Sequence, residues 1–221
     1  MGRFVVVTGV GTGIGKTHLG VALVLAARAC GVSVAGYKPI ESGLDGATAG
    51  DADALREASS FQVEPAPLYG FAPPVSPHLA AEWAGSTIAL ERIESAVAEA
   101  RAKVELVVVE LAGGLFTPLS ASDDNASLLL ALAPDHTVLV AEDALGVLHH
   151  VRASRLAASA RGVGPMHLAL VCPRSPDAST GHNEATLASS FASTTYVPRL
   201  AAVPDLARSE PVRVLLDRVL R

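Results

Sequence analysis

The stretch Gly13-Ile14-Gly15-Lys16-Thr17-His18 has the residue types that hold a polyphosphate. Glycines let backbone N–H groups close on phosphate oxygens, and a helix start adds its dipole. Lys16 is placed for the β and γ phosphates, and the Thr17 hydroxyl for Mg2+. Ahead of the loop, Arg3-Phe4-Val5-Val6-Val7-Thr8 is apolar and β-branched, as a buried strand requires. Behind it, His18 to Ala27 reads as a helix. The usual Gly-x4-Gly-Lys-Thr spacing would need a glycine where Val10 stands; Gly9 is the nearest, so the loop is one residue longer. A dinucleotide fingerprint fails at Ile14, and the second strand ends Tyr37-Lys38 rather than in an acidic ribose ligand. A tight glycine turn without a ligand is the other reading, and the strand–turn–helix context weighs against it.

Three more segments carry charge at expected strand ends: Lys38-Pro39-Ile40-Glu41-Ser42-Gly43, Asp51-Ala52-Asp53-Ala54-Leu55 and Glu110-Leu111-Ala112-Gly113-Gly114. Of 17 basic residues only Lys16, Lys38 and Lys103 are lysines. A chain that otherwise uses arginine keeps lysine where a compact ammonium is required, which singles out Lys16 and Lys38; Lys103 reads as a solvated surface residue. Asp53 and Glu110, with Thr17, are the oxygen donors expected to hold a hard divalent cation. Lys38 is the second cation expected beside the γ-phosphate, where charge builds during phosphoryl transfer. Asp51 and Asp53 can also be read as helix caps. Glu110 can be read as a satisfied strand-end carboxylate, although after four apolar residues it would need a partner.

These segments need a scaffold that gathers strand ends. Strands are expected at 3–8, 32–37, 106–109, 137–141, 168–171 and 195–197, alternating with helices at 16–30, 51–60, 88–103, 125–132, 146–160, 183–191 and 211–220. The glycine-rich loop 41–50 and the prolines between Pro65 and Pro77 read as irregular. The alternation predicts an α/β fold: a doubly wound, mostly parallel sheet with helices on both faces, in one domain over residues 1–221. Ligands in such sheets bind past the carboxyl ends of the strands. The net charge of −5 argues against a nucleic-acid or anionic-membrane partner. Cys30 and Cys172 lack metal-ligand spacing and are expected as reduced, buried thiols, with a cytoplasmic location and no leader or membrane span.

Taken together, the motifs resemble the dethiobiotin synthetase family of P-loop NTPase-like enzymes. The resemblance rests on the lengthened loop Gly9 to Thr17, on Lys38 to Gly43, and on Asp53-Ala54-Leu55 with Ser59-Ser60. It rests also on Ser76-Pro77-His78, and on Glu110 to Gly114 with Thr117-Pro118-Leu119. It is continuous from residue 4 to about 155 and weak beyond. It implies an ATP-dependent, Mg2+-requiring cyclo-ligase of biotin biosynthesis that joins 7,8-diaminononanoate and CO2 into a cyclic urea through a carbamic–phosphoric anhydride. Lys16 and Lys38 would be catalytic, and Thr12, Ser42 and His149 would bind substrate. ATP would be held by Gly13, Ile14, Gly15, Lys16, Thr17, His18, Asp53, Glu110, Leu111, Ala112, Gly113, Pro198, Arg199 and Leu200. Thr17, Asp53 and Glu110 would hold the metal. A homodimer would bring the substrate's carboxylate tail to the helix start at Gly146.

Four departures qualify the resemblance. Leu111 replaces a family glycine. Gly13 stands where some members carry an acidic side chain. His149 replaces an asparagine. Cys172-Pro173-Arg174 replaces the Asn-Asp that reads adenine, which predicts weak discrimination among nucleoside triphosphates, ATP among them. The rival readings are a partitioning or septum-placement (ParA/MinD-type) ATPase switch, an amidotransferase-type cobyrinate synthetase, and an inactive relative. The first would need a further lysine early in the loop, the second a glutamine-hydrolysing domain; neither is present between residues 1 and 221. The retained Lys16, Lys38, Ser42, Asp53 and Glu110 speak against the third.

Overall fold

The computed structural model describes residues 1–198 and 202–221. In chain order the elements are β1 (Arg3–Gly9), α1 (Lys16–Ala29), β2 (Val34–Tyr37), β3 (Ile40–Ser42), α2 (Asp51–Ala58), β4 (Tyr69–Phe71), α3 (Pro77–Trp83), α4 (Leu90–Arg101) and β5 (Leu106–Glu110). They continue as α5 (Asn125–Leu132), β6 (His136–Glu142), α6 (Val147–Ala160), β7 (His167–Val171), α7 (Asn183–Leu187), β8 (Ser193–Val197), α8 (Val203–Arg208) and α9 (Glu210–Val219). A 3-10 turn, Ala188–Ser190, closes α7, so the helix expected to reach residue 191 tightens before its end.

Six strands form one parallel sheet in the order β2-β5-β1-β6-β7-β8. Its strands carry apolar side chains on both faces, because helices cover both. Phe4 and Val6 of β1 enter one core with Val107 and Val109 of β5, roofed by Ile93, Val97 and Leu128. Val5 and Val7 enter the opposite core with Val108, roofed by Leu19, Leu23, Leu215 and Leu216. The alternation along one strand thus feeds two separate cores.

The order reverses at β1: the chain first builds outward to β2, returns through β5, then continues past β1 to β6, β7 and β8. A crevice opens at such a switch point beyond the carboxyl ends, and the phosphate loop, residues 10–15, lies there. Other features also differ from the sequence expectation. Helix α8 is not among the expected elements, and Cys30 is exposed and Cys172 half-buried where buried thiols are expected, since each lies just past the end of its element rather than within it. β3 and β4 pair as a small parallel sheet, Ile40↔Tyr69 to Ser42↔Phe71, inside segments expected as loop. Helix α3 starts at Pro77, where proline's fixed φ suits a first helical position rather than ending a segment. No described helix is long and apolar enough to cross a membrane.

Candidate active site

Helix α1 begins at Lys16 because Gly15, at φ 93°, turns the chain in a conformation that side-chain-bearing residues rarely adopt. Lys16 is buried and its Nζ donates to the carbonyl of Gly11 at 2.7 Å, closing the loop on itself. Burial pushes the Lys16 ammonium down to about 8; Glu110 opposes the shift, Lys38 adds to it and Asp51 opposes it. The loop rests on the segment after β5. Leu115 N–H donates to Gly9 O at 2.8 Å, and a Cβ on Gly114 would stand 3.3 Å from Gly11 N and Gly9 O. Asn125, fully buried at the start of α5, holds that segment by donating from Nδ2 to Ala112 O (2.7 Å) and Gly114 O (2.8 Å).

Around the carboxyl end of β5 the charges converge. Glu110, 1 % exposed, accepts through Oε1 from Thr17 Oγ1 at 2.9 Å and from Lys38 Nζ at 3.0 Å. Lys38 also pairs with Asp51. Burial works against the Lys38 charge but is outweighed by Glu110 and Asp51, so its pKa rises and the ammonium stays protonated. Burial likewise pushes Glu110 up, with Lys38 opposing, Asp51 reinforcing and Lys16 opposing. Glu110 Oε2 is buried and has no hydrogen-bond partner among the described residues. An unpaired carboxylate oxygen beside a threonine hydroxyl and a half-exposed aspartate is a donor set suited to a small hard cation.

The second carboxylate of this cluster is Asp51, not Asp53. Asp53 Oδ2 accepts from Gly50 N–H at 3.1 Å and Oδ1 from Arg56 at 3.3 Å, so it turns back on the start of its own helix. Of the two aspartates of α2, Asp51 rather than the expected Asp53 therefore faces the cluster. Two positions apart on a helix they face different ways, and Glu41 fixes which one faces inward. Its carboxylate accepts from Asp51 N–H (2.7 Å) and Ala52 N–H (3.0 Å), capping α2 from β3. Sequence reasoning passed over Glu41; its signal is an acidic residue two positions before a glycine, in a strand too short to show a period.

A cleft of about 400 Å³ opens beside the cluster, lined by Thr12, Lys38, Glu41, Ser42, Asp51, Ala112 and Gly113 among others. Ser42 Oγ donates to Val75 O at 2.7 Å, which leaves its lone pairs to accept from a ligand. A smaller cavity of about 120 Å³ lies on the other side of the loop, lined by Gly13, Ile14, Gly15, His18, Glu142, Val171, Cys172 and Arg174. Leu111 lines neither. Its N–H donates to Val7 O at 3.0 Å and its side chain lies in the core, so neither of these is free for the ATP contact expected of it. His149 is exposed on the first turn of α6 and lines neither cavity. Pro198 follows β8 and lines neither cavity; Arg199 and Leu200 lie outside the described residues.

Comparison with known proteins places this geometry in context. A family model described as an AAA domain matches residues 3–213. An ATP-dependent dethiobiotin synthetase BioD of Anaeromyxobacter dehalogenans is 41 % identical over 164 residues, covering 73 % of each chain. Its counterpart in Xanthomonas oryzae pv. oryzae is 44 % identical over 163 residues, covering 71 % of this chain and 72 % of the relative. Among solved structures, the septum site-determining protein MinD of Pyrococcus horikoshii, complexed with Mg-ADP, superposes with a TM-score of 0.60 at 13 % identity, covering 99 % of this chain and 95 % of that one. At that identity the likeness is one of fold.

Proposed function

The chain belongs to the ATP-dependent dethiobiotin synthetase family, and from that membership we propose that it is a dethiobiotin synthetase, an ATP-consuming cyclo-ligase of biotin biosynthesis. The observation that carries the detailed reading is the buried ammonium of Lys38, fixed between Glu110 and Asp51 on the wall shared by the phosphate loop and the 400 Å³ cleft. A protonated lysine at that boundary touches both a γ-phosphate held in the loop and a small anion formed in the cleft.

In the proposed sequence one amine of 7,8-diaminononanoate attacks CO2 and loses a proton, giving a carbamate. A carbamate oxygen attacks the γ-phosphorus and the bond to ADP breaks, giving a carbamic–phosphoric anhydride. The second amine attacks the carbonyl carbon and loses a proton, phosphate leaves, and the five-membered urea closes. Lys38 neutralises the carbamate and then the transferring phosphoryl group. Lys16 leaves Gly11 O for the β and γ phosphates. Thr12 and Ser42 orient the diamine. No covalent intermediate on the protein is required, so positioning and charge supply the rate. Thr17, Asp51 and Glu110 are the residues that would hold Mg2+, which when bound neutralises phosphate charge. Gly13, Gly15 and His18 would flank the phosphates and base, with Ile14 beside them, while Ala112 and Gly113 would face the cleft.

A homodimer would give His149 a role. It is exposed on the first turn of α6, and a partner's substrate tail brought there would meet a helix start. The reading is tested by incubating the protein with diaminononanoate, bicarbonate, ATP and Mg2+ and following ADP and the cyclic urea. ADP release that depends on the diamine, with urea formed in equal amount, is the expected result. Diamine-independent ADP release would instead match a nucleotide switch and sink the synthetase reading.

A further inference from the structure

The small cavity beside the phosphate loop has two charged side chains on its wall, Glu142 at the end of β6 and Arg174 just after β7. Neither makes an ion pair or side-chain hydrogen bond with any described residue. The groups around them are already engaged. Cys172 N–H donates to Val197 O at 3.0 Å, and Val171 O accepts from Asp143 N–H at 2.8 Å. Pro173 has no N–H. The Asp143 carboxylate, fully buried, accepts from Asn183 Nδ2 (2.7 Å) and Gly181 N–H (2.6 Å). The Cys172 thiol lies against Pro173 O and the Tyr196 hydroxyl. Besides the His18 ring, the side chains at this wall that can meet a ligand edge are one carboxylate, which only accepts, and one guanidinium, which only donates.

We propose that Glu142 and Arg174 read the edge of the nucleotide base and select bases that carry an amino group beside an unprotonated ring nitrogen. This rests on the phosphate loop holding a nucleoside triphosphate whose base lies in this cavity. Cytosine and adenine present that edge: the amino group donates to Glu142 and the adjacent ring nitrogen accepts from Arg174. Uracil and hypoxanthine present the reverse, a carbonyl against the carboxylate and an N–H against the guanidinium. The selection is by donor–acceptor order, not by size, so a pyrimidine and a purine pass alike. Because Arg174 is exposed and Glu142 half-buried, the ratio is modest.

The test is equilibrium binding of four triphosphates to the full chain with Mg2+, by calorimetry. CTP is compared with UTP and ATP with ITP, since each pair differs at this edge alone. Expected is about fivefold or more tighter binding of CTP and ATP than of their partners. In Glu142→Gln, whose amide can turn to donate, both ratios should fall to about one with the melting temperature unchanged. In Arg174→Ala, CTP and ATP should weaken toward the UTP and ITP level. Wild-type ratios within about twofold, or ratios that survive Glu142→Gln, would overturn the base reader while leaving the nucleotide site intact. Failure of all four to bind would overturn the nucleotide site itself, and the base reader with it.

Discussion

At the carboxyl ends of β2 and β5, Lys38 and Glu110 are buried and paired, and Asp51 completes the group. At the ends of β6 and β7, Glu142 and Arg174 border one cavity without touching each other. One half of the sheet edge has fixed its charges in the protein before any ligand arrives, which serves transition-state stabilisation because nothing must reorganise during the reaction. The other half leaves its charges in water, where each is worth little and can adapt. The contrast implies that single substitutions on the first half cost rate, and that those on the second alter nucleotide preference by small factors.

The sharpest test of the contrast is Lys38→Ala. It should lower kcat by roughly two orders of magnitude or more, read from urea formation at saturating ATP, and an undiminished rate would remove Lys38 from the chemistry. Because it also leaves Glu110 buried without its main partner, a melting curve should show a loss of about 3 kcal/mol or more.

Next, Asp51→Asn should cut kcat about 10- to 100-fold and raise the Mg2+ concentration needed for half-maximal rate. A variant with normal Mg2+ dependence would return the metal-binding role to another carboxylate.

A third test uses pH. With its pKa lowered to about 8 when it lies on Gly11 O, the Lys16 ammonium loses its proton above that pH, whereas phosphate oxygens would restore it. ATP binding should therefore take up a proton near pH 9, and ATP affinity should weaken by up to about tenfold per pH unit above pH 8. Calorimetry in buffers of different ionisation enthalpy reads the uptake directly. The same lysine in the unfolded chain keeps its proton up to its ordinary value of 10.5, so its contribution to stability rises with pH between about 8 and that value.

The smallest effect belongs to Asp53→Asn. It should cost at most about 1 kcal/mol through the weakened helix start and leave turnover within about twofold. A loss as large as that of Asp51→Asn would erase the distinction between the two.

The pattern of buried strands and amphipathic helices was legible because six β-branched runs have no other stable arrangement than a covered parallel sheet, and Lys16 to Thr17 declares the phosphate loop by local chemistry alone. Less legible were elements with too few residues to show a period: β3 and β4 span three residues each and α8 six. In the site, Lys38 and Glu110 stood out by residue economy and by a carboxylate following an apolar run. The choice between Asp51 and Asp53 did not stand out, since it depends on a long-range cap from Glu41 that spacing does not encode. Leu111 poses a similar difficulty: a motif match assigns a position, whereas which way its N–H points is decided by β1.

The added residue in the phosphate loop has a consequence for design. Val10 N–H reaches Val140 O at 3.0 Å on one flank while Gly9 O receives Leu115 N–H on the other. The loop is thus riveted to two neighbours, and a Cβ on Gly114 would crowd it at 3.3 Å. Deleting Val10 to restore the commoner spacing would break both rivets together. The loop is portable to another scaffold only as a cassette that carries residues 110–115 with it.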